Sequence, residues 1–224
     1  MTHLTPFPAD VQAVILDMDG LILDTESGYC SAWQATAQQL GYSLEDSHCQ
    51  SLNGQSGERI EQYMRAYFGA DFPFDQFMQQ ASMTWQSDVE QHGIKTLPGF
   101  FDLMMILEER QIAYCLATNS RRNNAQQCLQ LANIADYFSL IVTRDEVNNG
   151  KPAPDVFLLA AQLLGVEPKR CLGVEDSEIG LQAAKSAGTI PVLITDNQTI
   201  IDHSQYNAML KLTSLSQLAL WIAG

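Results

Sequence analysis

Asp17-Met18-Asp19-Gly20 places two carboxylates two residues apart, directly after the apolar run from Val11 to Leu16. Such a run reads as a buried strand, and open α/β sheets bind their ligands at the carboxyl ends of strands. An ionised carboxylate cannot be buried there without a cation or metal beside it, because desolvating the charge is too costly. The same tetrapeptide could equally be a plain turn, with Asp bonding its own backbone and Gly at positive φ. Residues elsewhere in the chain weigh on that choice.

Three further groups follow predicted strands. Ala117-Thr118-Asn119-Ser120 precedes a helix, where a hydroxyl and exposed backbone N–H groups make an anion cradle. A helix cap built from Ser or Asn is the alternative. Lys151 lies in the rigid turn Asn149-Gly150-Lys151-Pro152-Ala153-Pro154. Glu175-Asp176-Ser177 again sets two carboxylates beside a helix start, with capping by Asp176 or Ser177 as the alternative. Four successive strand ends thus offer Asp plus Asp, Thr, Lys, and Glu plus Asp. One metal site with a phosphate cradle accounts for all of them. Carboxylates are hard oxygen ligands suited to Mg²⁺. The metal and Lys151 together would neutralise both a phosphate and the carboxylate attacking it.

The elements that must position these groups are readable from the apolar runs. Strands are predicted near Val11–Leu16, Ile112–Ala117, Leu140–Val142, Cys171–Val174, Pro191–Ile194 and Ala208–Leu212. Helical patterns lie between them, over Phe100–Arg110, Asn123–Ala132, Asp155–Leu164, Ser177–Ala187 and Leu215–Ala223. Alternation with short links predicts an α/β fold with a mostly parallel sheet covered on both faces. Pro154 suits a first helical turn, and Gly165 and Gly188 suit helix ends. From about Glu26 to Gly93 only helical patterns occur, over a length too great for a structureless loop. The expected organisation is therefore a core of residues 1–25 and 94–224, with a helical subdomain, 26–93, inserted after the first strand. Leu97-Pro98-Gly99 marks the return and suits a hinge.

Composition narrows the partners. Twelve Lys and Arg stand against 26 Asp and Glu, for a formal charge of −14. No basic cluster is available to neutralise a polynucleotide, so nucleic acid is not expected. No run approaches the ~20 apolar residues of a membrane span. The start of the chain lacks the layout of a signal peptide. Five scattered cysteines without Cys-x-x-Cys indicate neither a disulfide framework nor a zinc site. A cytoplasmic location with reduced thiols is expected, with a small phosphorylated metabolite as ligand and no protein partner evident.

The stretches Asp17-Met18-Asp19-Gly20-Leu21-Ile22-Leu23-Asp24-Thr25-Glu26, Ala117-Thr118-Asn119-Ser120, Lys151-Pro152-Ala153-Pro154-Asp155 and Gly173-Val174-Glu175-Asp176-Ser177 are similar, in order and spacing, to the haloacid dehalogenase superfamily. The resemblance is to its subgroup of β-phosphoglucomutase-like enzymes and small sugar-phosphate phosphatases. It implies a Rossmann-like core with a helical cap inserted after the first strand. It implies that Asp17 is a nucleophile forming an aspartyl-phosphate, and that Asp19 serves as acid and then base. Thr118 and the Asn119 backbone would hold the transferring phosphoryl group, with Lys151 offsetting its charge. Asp17, the Asp19 carbonyl and Asp176 would bind Mg²⁺, with Glu175 as an additional ligand. Asp24 would brace the loop after the first strand or be a simple turn aspartate.

The inserted segment bears on which member this is. Residues 26–93 hold no lysine; their only cations are Arg59 and Arg65, against nine carboxylates. A phosphonate-cleaving relative would need a cap lysine, and a dehalogenase would lack the second aspartate. Where β-phosphoglucomutase-like enzymes carry a histidine and a Lys-Gly pair, this chain has Tyr29 and Asn53-Gly54. The expectation is a Mg²⁺-dependent phosphatase of a small phosphomonoester, a sugar phosphate, with a mutase as the alternative and a non-catalytic binding or regulatory module further behind. Arg59 is either a substrate contact or a solvated helix-face residue. Trp33, Tyr63 and Trp85 read as core.

Overall fold

Every residue of the first strand, β1 (Ala13–Leu16), is buried, as a strand with neighbours on both edges and helices on both faces must be. In the computed structural model, which describes residues 6–52, 57–195 and 208–224, it is followed by β2 (Ala113–Ala117), β3 (Ile141–Val142), β4 (Cys171–Glu175), β5 (Ile190–Ile194) and β6 (Leu210–Leu212). The sheet order is β3-β2-β1-β4-β5-β6, and every pairing is parallel. The order reverses at β1, where the chain first builds outward through β2 and β3 and then returns to β4. Leu16 lies opposite both Leu116 and Val174. Asp17, Ala117 and Glu175 therefore emerge at one level, at the switch point where such sheets bind ligands.

The chain forms two compact units, one of residues up to Leu23 together with Lys95–Gly224, the other Asp24–Ile94. The second contains α1 (Thr25–Gln39), α2 (Asp46–Leu52), α3 (Gly57–Phe68) and α4 (Phe74–His92), and no strand among its described residues. Its core joins Trp33, Ala37, Cys49, Met64, Phe72 and Phe77, with Tyr63 packed against them. Trp85 is buried and stacks on Tyr29 with ring centroids 4.6 Å apart. These aromatics are core, as their spacing indicates. Asn53-Gly54 lies outside the described residues.

The first unit adds α5 (Phe100–Glu109), α6 (Arg122–Leu131), α7 (Asp155–Leu164), α8 (Glu178–Ser186) and α9 (Leu215–Ala223). The expected elements form, with ends shifted by one or two residues. Val11 and Ile112 are buried yet precede their strands. Ser177 is not the first residue of α8 but its cap, accepting from Gly180 N–H at 3.2 Å. Gly165 and Gly188 have φ of 69° and 77°, the left-handed conformation that ends a helix. On α7, Val156, Phe157, Ala160 and Ala161 form one buried face against Ala13, Ile15, Cys115 and Ala117. Gly173 lets β4 approach its neighbours, since a Cβ there would meet Thr189 Oγ1 at 2.5 Å and Ala184 Cβ at 2.8 Å. Gly99, expected at a hinge, allows close packing: a Cβ would lie 2.7 Å from the carbonyl carbon of Leu215. All five cysteines are free thiols. No helix of the described residues is long and apolar enough to cross a membrane.

Candidate active site at the carboxyl ends of the strands

Asp17 is the first residue beyond β1, and its N–H donates to Val174 O at 3.1 Å. Met18 is fully buried, and its carbonyl accepts from the N–H groups of Ile22 and Leu23, both at 3.1 Å. The chain therefore folds back at once, leaving Asp17 buried and Asp19 half-buried. Asp24 accepts from Ser27 N–H at 3.3 Å and caps α1, a local role.

The buried Lys151 joins three strand ends. Its Nζ donates to Ala117 O at 2.7 Å, pairs with Asp17 Oδ1, and lies 2.6 Å from Glu175 Oε1. It also stands 5.2 Å from the centre of the Phe157 ring, within cation–π range. Two carboxylates share one ammonium away from water. Burial raises the Asp17 pKa; Lys151 opposes the rise and Asp19 adds to it. Burial pushes Glu175 up to about 8, with Lys151 opposing and Asp17 adding. For Lys151, burial disfavours the charge, but the two carboxylates outweigh it and hold the pKa above the ordinary lysine value. Burial is the main cause of both upward shifts, and the repulsion between two carboxylates set against one ammonium adds to it.

Glu175 Oε1 has no hydrogen-bond partner beyond that ion pair, while Oε2 accepts from Ser177 Oγ at 3.4 Å. Asp17, Glu175 and Asp176 each bring a carboxylate oxygen into a group whose members lie within 4.8 Å of one another. Three hard oxygen donors beside a single ammonium, one of them a buried oxygen held by Lys151 alone, fit a divalent cation such as Mg²⁺. The Asp19 carboxylate is not in this group. It accepts from Ser120 Oγ at 2.8 Å, and Asn124 Nδ2 donates to that hydroxyl at 3.4 Å.

The Thr118 hydroxyl is buried and accepts from Ser120 N–H at 2.9 Å, which leaves its own proton to donate. The Asn119 side chain faces Lys151: Oδ1 accepts from Lys151 N–H at 2.8 Å and Nδ2 donates to Lys151 O at 3.2 Å. Six of the expected site residues thus lie at neighbouring strand ends of one unit, and Lys151 reaches them from a turn of the same unit. Arg59 alone belongs to the helical unit, where it is an exposed residue of α3.

Ser120, the Asn119 carboxamide and Gly180 have roles here that composition did not reveal. A Cβ on Gly180 would overlap the Glu175 carboxylate outright. Its signal in the sequence was a glycine in the first turn of a helix, a position where glycine brings no benefit to helix stability. Gly180→Ala should swing Glu175 away from Lys151 and weaken Mg²⁺ binding by about 10–100-fold, as loss of an orienting contact does. Isothermal titration with Mg²⁺ measures this, and an unchanged affinity would take Glu175 out of the metal-binding set.

Residues 14–194 match the family described as haloacid dehalogenase-like hydrolase. The chain is 33% identical over 197 residues to β-phosphoglucomutase of Bacillus subtilis, covering 85% of this chain and 86% of that protein. It is 32% identical over 179 residues to a phosphorylated carbohydrates phosphatase of Thermotoga maritima, covering 80% and 82%. The crystal structure of β-phosphoglucomutase from Clostridium difficile superposes with a TM-score of 0.72 at 25% identity, covering 93% of each chain. With the family matched from the second residue of β1 to the last of β5, and relatives on both sides of the phosphatase–mutase divide matched over more than four fifths of their length, the chain belongs to the haloacid dehalogenase-like hydrolase family.

Proposed function

We propose that this chain is a Mg²⁺-dependent phosphatase that hydrolyses a small phosphomonoester, a sugar phosphate, through an aspartyl-phosphate. The observation that carries the reading is the buried Asp17–Lys151–Glu175 group, in which two carboxyl groups face a single ammonium. A structural ion pair would balance its charges; this one is poised to accept a further cation, beside a second aspartate held by Ser120. Asp17, Glu175 and Asp176, with the Asp19 carbonyl, would hold Mg²⁺. When bound, the ion offsets negative charge on the phosphate and on Asp17.

In this mechanism the Thr118 hydroxyl and the Asn119 N–H donate to the phosphoryl oxygens, and Lys151 balances their charge. Asp17 attacks phosphorus in line with the leaving oxygen. The Oδ–P bond forms as the P–O bond to the sugar breaks, and Asp19 gives its proton to the departing oxygen. Water then attacks phosphorus and passes a proton to Asp19. The bond to Asp17 breaks, releasing phosphate. The mutase reading has its support in the Bacillus subtilis relative. Against it stand the scarcity of cations in residues 26–93 and the absence of lysine there, since a second phosphate would have to be held while the intermediate reorients.

Incubation with β-glucose 1-phosphate, followed by phosphorus NMR, separates the two. If that sugar is accepted, free phosphate should accumulate with Mg²⁺ and cease on chelation with EDTA, returning when Mg²⁺ is restored. Net conversion to glucose 6-phosphate, stimulated by bisphosphate and with little phosphate released, would establish the mutase instead. Full turnover in rigorously metal-free buffer would remove the metal from the mechanism.

A further inference from the structure

Lys151 carries the central charge of the site, yet it lies in neither a strand nor a helix. It sits in the turn between the short 3-10 segment Arg144–Glu146 and α7. A lysine side chain has many rotamers, so an ammonium on a loose turn would be poorly placed. The Asn119 carboxamide meets both backbone polar groups of this one residue, accepting its N–H at 2.8 Å and donating to its carbonyl at 3.2 Å. The planar amide thus does for Lys151 what a neighbouring strand would do. Gly150 keeps the approach open: a Cβ there would fall 2.6 Å from Asn119 Oδ1 and 2.5 Å from Arg144 Cδ. Asn119 itself is fixed by its place directly after Thr118, whose N–H donates to Val142 O at 3.0 Å.

We propose that the Asn119 side chain is the positioning residue for Lys151, setting the ammonium between Asp17 and Glu175 by clamping the lysine backbone. This role is separate from the Asn119 backbone N–H, which any substitution other than proline retains. It rests on the phosphoryl-transfer reading, because only there does the ammonium's position set a rate. Misplacing a charged group by about 1 Å can cost on the order of 100-fold.

The test has two arms on the purified full chain. In the first, amide hydrogen exchange is followed by NMR without substrate. Asn119→Ala should speed exchange at the Lys151 amide by at least about tenfold, while the Leu116 amide, bonded to Leu140 O within the sheet, keeps its protection. This arm needs no activity, so an inactive parent protein would defeat the phosphatase reading and leave the clamp standing. In the second arm, Asn119→Ala should lower kcat/KM for a phosphomonoester that the parent hydrolyses by about 10–100-fold. The same change made on a Lys151→Met background should alter the residual rate by less than about threefold, because no ammonium remains to be positioned. Costs that multiply in the double variant, or an unchanged Lys151 amide, overturn the proposal. If Asn119→Ala does not fold, Gly150→Ala enters the clamp from the opposite side and is held to the same two readouts.

Discussion

Asp17→Asn should abolish turnover and accumulate no phosphoenzyme, while the protein should fold at neutral pH at least as stably as its parent. The amide keeps the shape of the side chain but is not a nucleophile. Stability follows from the charge state of the buried group. Burial raises the folded pKa of Asp17 above its ordinary 3.8. A raised pKa means that its favourable contribution is complete below the unfolded value and is lost as pH climbs through the folded one. Carrying a charge at this buried position therefore costs stability relative to the neutral form, and an amide, which never ionises, avoids that cost. Lys151 still keeps Glu175 and Ala117 O. Asp19→Asn should behave differently: binding is retained, and the loss of proton transfer slows both steps by about 10²–10⁴-fold. Acid quenching after mixing with an aryl phosphate checks the pair, and acid-stable phosphoenzyme on Asp17→Asn would sink the assignment.

Lys151→Met should lose both stability and rate, and the two losses should respond differently to cations. Methionine preserves much of the buried stem over Phe157 but removes the positive charge that pairs with both Asp17 and Glu175. Breaking a buried ion pair from one side costs about 3–5 kcal/mol, because the abandoned charge stays buried. Urea unfolding at neutral pH in EDTA should show a deficit of that order. It should shrink on adding Mg²⁺, which supplies a replacement charge. It should also shrink as pH falls, since without the lysine both carboxylates take up protons more readily than before. Turnover at saturating Mg²⁺ should nonetheless stay down by about 10²–10³-fold, the scale of a lost electrostatic donor to the transferring group. A deficit untouched by either acid or Mg²⁺ would mean that packing, not charge, is what Lys151 contributes.

Local order decided how much of this was legible in the chain. Apolar runs bounded by turn residues located the strands, and periodic faces located α5 to α9, because both signals span only a few residues. Site residues at the end of a strand or one position beyond it, such as Glu175, Asp17 and Thr118, came with those runs. Capping roles at Asp24 and Ser177 were local too, and the structure adds them beside the chemistry rather than in place of it.

What the chain could not disclose is which side chains meet. Lys151 reaches Asp17 across 134 positions, and Asn119 reaches Lys151 across 32. Those contacts depend on β1 lying between β2 and β4, and on Leu16 standing level with Leu116 and Val174. Fully buried parallel strands are apolar on both faces, so they carry no alternation from which order or register could be read. The sequence alone therefore determined which residues stand at the strand ends. Only the folded sheet determined that two carboxylates would share one ammonium, that a carboxamide would hold that lysine in place, and that Gly180 would leave room for Glu175 to join them.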